Sequence, residues 1–179
     1  MKQIKLPMMS AIKPTPGSPV NLGVAFNNFK AVQVNSQNIL SATFFVEAQL
    51  ERIITYRVFG KFGPEVSFFN HHILVSDWFS FSAKRKLVVF IVNEKKYLSG
   101  KDKGELEKLL RKVMSYRNTF AHGRVVEKSD GTYISYFENT QREEILTDQY
   151  WTCVEKTFLE TLEKLNEVQT KMGLSSSTV

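Results

Sequence analysis

Four of the five prolines in this 179-residue chain fall within its first nineteen residues, and the fifth is Pro64. Proline removes a backbone donor and clashes with the preceding helical turn. The stretch Lys13-Pro14-Thr15-Pro16-Gly17-Ser18-Pro19 therefore holds neither a helix nor a central strand. Residues 1–30 read as an extended or irregular N-terminal arm. Beyond them the chain is almost free of helix breakers, so 31–172 is read as one mostly helical domain and 173–179 as a disordered tail. The length suits a single domain with a core of its own.

Hydrophobic periodicity places the elements. From about Ile39 to Phe59, Val46, Leu50, Ile53 and Ile54 recur at helical spacing among Glu47, Glu51 and Arg52. Gly60-Lys61-Phe62-Gly63-Pro64 ends that helix. The run Leu87–Val92 is rich in β-branched residues and fits a buried strand or the buried half of a helix starting near Ser80. Ser99–Gly104 reads as a loop. A strong amphipathic helix is expected over Glu105–Ala121, with Leu106, Leu109, Leu110, Val113 and Phe120 on one side and Glu107, Lys108, Arg111 and Lys112 on the other. Gly123 is its expected stop. Asp130-Gly131 between two β-rich runs signals a hairpin, and Arg142–Leu146 adds a third short strand. Thr147-Asp148 looks like an N-cap for a last helix over 149–172, whose stripe is Trp151, Val154, Phe158, Leu162 and Leu165.

Composition narrows the function classes. One cysteine, Cys153, leaves no disulfide scaffold within the chain and no cysteine-based zinc cluster, and it is expected to be a core thiol. A formal charge of +6, from 24 basic and 18 acidic residues, is compatible with an anionic partner such as RNA. No stretch approaches the roughly 20 apolar residues of a membrane span. Met1–Met9 carries Lys2 and Lys5 but no apolar core run, so a cytoplasmic location is the expectation. No metal site and no cofactor are expected: the adjacent His71 and His72 lack acidic or thiol neighbours at useful spacing and suit a surface loop. There is no Gly-rich phosphate loop to support a small-molecule nucleotide site. Glu47 and Glu51, at i and i+4, suit a salt-bridged helix face. Tyr133 and Tyr136 suit either base stacking or packing on the hairpin.

The chemistry concentrates in Arg117-Asn118-Thr119-Phe120-Ala121-His122-Gly123. Cutting RNA without a metal needs a proton acceptor for the 2′-hydroxyl, a cation for the charge on the phosphorane, and a donor for the leaving oxygen. A histidine titrating near its ordinary pKa of about 6.5 serves the first or third. An arginine serves the second, because its planar fork matches phosphate oxygens. Five residues at about 100° each, however, put Arg117 and His122 about 140° apart on a regular helix. Convergence then requires a distorted helix terminus or a second protomer. Arg117 also follows Val113 at i+4, which extends the apolar stripe.

The segment Arg117-Asn118-x-x-Ala121-His122-Gly123 resembles the signature of the HEPN domain (higher eukaryotes and prokaryotes nucleotide-binding), an Arg and a His separated by four to six residues. Phe79–Leu87 is similar to a helix start seen in many members, which favours the helical reading of that segment. The resemblance covers roughly 39–170 and implies a HEPN-like helical bundle with a small β-hairpin before the C-terminal helix. It further implies a metal-independent endoribonuclease acting as a homodimer, in toxin–antitoxin or phage-defence systems, with RNA and an antitoxin or other defence protein as partners. The alternative is a catalytically inactive HEPN module that dimerises and binds RNA or protein. Carried over, Arg117 contacts the scissile phosphate, His122 is the acid–base residue and Asn118 orients one of them. Arg124 stands where some toxins carry a tyrosine modified by their antitoxin, which sets that mode of control aside here. Lys84, Arg85 and Lys86, with Arg124, are the candidate RNA-binding cations.

Overall fold

The computed structural model describes residues 22–60, 63–76 and 78–174. Helix α1 runs Leu22–Phe59, α2 Pro64–Phe69 with a π-helical turn Asn70–Leu74, α3 Phe81–Lys95 and α4 Gly100–His122. Strands β1 (Arg124–Lys128), β2 (Gly131–Glu138) and β3 (Thr140–Ile145) follow, and α5 (Asp148–Lys171) closes the chain. The chain is mostly helical, with an antiparallel sheet of order β1-β2-β3 inserted before the last helix. No helix among the described residues is long and apolar enough to cross a membrane.

α1 begins seventeen residues before the expected Ile39. Its first turns lie inside what the sequence suggested was an irregular arm, so 22–30 is helix; residues 1–21 lie outside the described residues. The buried positions Val32, Ser36, Ile39, Thr43, Val46, Leu50 and Ile53 alternate four and three apart, a continuous seam along the helix. Two of them are polar, which hid the pattern. Each satisfies its hydroxyl locally, Ser36 Oγ donating to Val32 O at 2.7 Å and Thr43 Oγ1 to Ile39 O at 2.8 Å. α5 uses the same device: Thr157 and Thr161 are buried and donate to Cys153 O and Thr157 O at 2.8 and 2.6 Å. Its partner α1 meets it through the Gln169 Nε2 to Gln49 Oε1 bond of 2.7 Å.

α3 takes the helical alternative, with Ser80 Oγ accepting from Ala83 N at its N-terminus. Lys96 closes it in the left-handed region at φ 54°. α4 starts five residues earlier than expected, because Ser99 caps it by accepting from Asp102 N. Gly100 and Gly104 therefore lie in its first turns rather than in a loop. The expected face of α4 is buried: Leu106, Leu109, Leu110, Val113 and Phe120. α5 ends in a Schellman motif, with Gly173 at φ 80° and Leu174 N donating to Gln169 O at 2.9 Å. Leu174 is buried, so the body of the fold extends into the expected tail to include 173–174; 175–179 lie outside the described residues. Cys153 is exposed rather than a core thiol.

Candidate functional site at the end of the fourth helix

α4 stays regular to its end. Gly123 N donates to Thr119 O at 2.7 Å, and β1 starts at the next residue. Gly123 is not needed for a left-handed turn, since its φ is −75°. It is needed for space: a Cβ there would stand 2.3 Å from Thr119 O and 2.9 Å from Ile134 Cγ1. The helix terminus is thus pressed on the buried Ile134 of β2. Behind it, Phe120 packs 5.5 Å from the Trp151 ring, and Tyr116 lies 6.1 Å from Tyr150, which itself meets Trp151 edge-on at 5.4 Å. Burial pushes the Tyr150 phenol well above its ordinary pKa.

On this fixed terminus Arg117, Asn118 and His122 are all exposed. Arg117 does not extend the buried stripe; Tyr116 and Phe120 carry it instead. Arg117 Nη1 donates to Asn118 Oδ1 at 3.0 Å. Arg117 lines a cleft of about 620 Å³ between α1, the start of α3 and α4, with Phe44, Glu47, Val75, Phe79 and Ala121. His122 lines a different groove of about 1050 Å³, between the outer face of α4 and the end of β2. Asn118 and Met114 line both and form the ridge between them. The two reactive side chains therefore flank a ridge and do not share a cleft within one chain, as the 140° phase difference requires.

The other sequence-derived cations divide. Lys84 and Arg85 are buried, and the assignment of RNA binding to them is corrected. Lys84 Nζ donates to Glu47 Oε1 at 2.6 Å and to Glu51 Oε1 at 2.5 Å, tying α3 to α1. This fulfils the salt-bridged reading of the Glu47/Glu51 pair. Arg85 Nη1 stands 3.7 Å from Glu107 Oε1, and burial followed by the nearby Arg111 charge lowers its pKa. Lys86 and Arg124 are exposed. His71 and His72 are exposed too, with His71 Nδ1 at 2.8 Å from Ser67 O. No group of metal-ligating side chains gathers among the described residues.

The sequence reading passed over the cations beside His122. Lys108, Arg111 and Lys112 are exposed on α4 and line its groove, as does Ser115. Positions 108, 111–112, 115, 118–119 and 122 repeat every three to four residues, so one face of α4 carries them all to the histidine. A helical projection continued through the motif reveals that face. Across the groove stand Tyr136, Phe137 and Glu138 of β2. Tyr136 Oη donates to Glu144 Oε1 at 2.7 Å, and burial together with that carboxylate pushes its phenol up to about 12.

No family model matches the chain, and neither does any curated protein or solved structure.

Proposed function

We propose that this protein is a HEPN-type, metal-independent endoribonuclease that acts as a homodimer, with Arg117 and His122 drawn from facing copies of the motif. The observation that carries the reading is the pairing of an undistorted α4 terminus with exposed Arg117 and His122 on opposite sides of one ridge. A regular helix removes convergence by local distortion and leaves a second protomer as the means of bringing the two together. The rim of the Arg117 cleft supports this: Phe44 and Val75 are 71% and 62% exposed, apolar surface of the kind a partner chain buries. In this mechanism His122 accepts the 2′-hydroxyl proton as that oxygen attacks phosphorus. The guanidinium of Arg117, held by Asn118, neutralises the phosphorane, and the imidazolium then protonates the departing 5′-oxygen. The products are a 2′,3′-cyclic phosphate and a 5′-hydroxyl. A bacterial defence role, with an antitoxin or another defence protein as partner, belongs to the same proposal.

RNA incubated with the protein in EDTA is expected to yield cyclic-phosphate ends. Arg117→Ala and His122→Ala each abolish cleavage while leaving the dimer intact. A mixture of the two variants regains part of the activity, because a mixed dimer keeps one Arg117–His122 pair. Cleavage that survives both substitutions rules the assignment out. The same separation within one chain also suits a non-catalytic HEPN module, and dimers that bind RNA without producing cyclic-phosphate ends would establish that reading instead.

A further inference from the structure

We propose that the groove beside His122 is a track for single-stranded RNA, in which Lys108 and Lys112 hold the phosphate backbone and the exposed Phe137 at its margin stacks a base. The inference rests on the ribonuclease reading for its direction: the track leads to the histidine. Its own support is charge and shape. Lys108 to His122 covers about four turns of α4, roughly 21 Å at the helical rise, room for several nucleotides. Both acidic residues that line the groove are already engaged. Glu107 accepts from Arg111 at 2.6 Å and lies near Arg85, and Glu138 pairs with Arg142 at 3.1 Å. Lys108 and Lys112 meet no carboxylate among the described residues, so their charge is available to a polyanion. Phe137, at the margin of the groove on β2, is 79% exposed, a large apolar ring left uncovered among the described residues. An exposed ring at the margin of a groove with a basic wall suits unpaired bases, whose faces are open, and not a duplex, whose bases are stacked on each other. Phosphates on α4 and a base on Phe137 use the helical wall and the strand margin of one groove. Its volume of about 1050 Å³ is larger than a lone ion needs.

The test reads binding separately from cleavage. A fluorescein-labelled 2′-O-methyl RNA of about twelve nucleotides cannot be cut, and its affinity is followed by anisotropy over a range of salt concentrations. Lys108→Glu with Lys112→Glu is expected to weaken binding at least tenfold. Each neutralised contact flattens the logarithmic salt dependence by about 0.7. Phe137→Ala is expected to weaken binding about tenfold with the salt slope unchanged, as loss of one stacked base should. Lys156→Glu on α5, away from the groove, changes affinity less than twofold, and circular dichroism checks that every variant remains helical. Wild-type affinity in the track variants, an equal loss in the Lys156 variant, or equal affinity for duplex RNA overturns the track. Loss of binding in the track variants alongside cleavage that ignores Arg117 and His122 keeps the track and discards the nuclease site. The reverse pattern keeps the nuclease site and discards the track.

Discussion

Two basic clusters of similar composition sit on neighbouring helices and do opposite things. Lys84-Arg85-Lys86 on α3 is contiguous in sequence, and two of its three cations are buried against Glu47, Glu51 and Glu107. Lys108, Arg111 and Lys112 on α4 are spread over little more than one turn, and all three face solvent. The contiguous run is conspicuous by eye, but three consecutive residues sweep about 200° of a helix, so some must point inward. The dispersed set keeps one face by its spacing. Charge density along a chain therefore says little about where charge is presented; helical phase decides it. Glu107 links the clusters, reaching Arg85 on one side and Arg111 on the other.

The contrast predicts unequal consequences for stability. The largest falls on α3. Lys84→Ala strands two carboxylates whose side chains are only 22% and 21% exposed, and is expected to cost about 3 kcal/mol. Urea unfolding measures it, and an unmoved midpoint would place this cluster on the same footing as a surface pair. Next comes Gly123→Ala, at the point where the presented face of α4 ends. Its methyl group meets backbone and the buried Ile134, so a loss of about 2 kcal/mol is expected in the same assay. Glu107→Gln is smaller and depends on pH. The hydrogen bond from Arg111 holds the Glu107 carboxyl below its ordinary pKa. A depressed folded-state pKa gives stability that is complete above the unfolded value of about 4.3 and disappears as pH falls through the folded one. The difference between variant and wild type should therefore be full at pH 6 and shrink towards pH 3 in melts taken across that range. Smallest is Lys108→Ala with Lys112→Ala, expected to change stability by less than about 0.5 kcal/mol. A larger loss would mean that the α4 cations also serve the fold.

Much of the architecture was legible because apolar stripes were. Leu106, Leu109, Leu110, Val113 and Phe120 mark α4, and Asp130-Gly131 marks the turn into β2. Each misread part has a physical cause. The part of α1 before Ile39 was hidden because Ser36 occupies its seam, and a hydroxyl bonded to its own helix four residues back passes for a surface residue in a hydropathy pattern. The start of α4 was hidden by Gly100 and Gly104, whose low helix propensity Ser99 offsets by capping. Within the candidate site, the separation of Arg117 from His122 followed from helical phase alone. The burial of Lys84 did not, because it depends on α1 lying against α3, a contact that local sequence does not encode.

One residue, Gly123, is the whole connection between α4 and the sheet. Most helix-to-strand junctions contain spare chain that can absorb an added residue; this one has none. An insertion on either side of Gly123 would rotate or displace His122 relative to β2, whereas the turn at Asn139, exposed and already in the left-handed region, has room for extra length. A tag or reporter placed at Asn139 should leave the motif in register, and the same peptide placed at Gly123 should not.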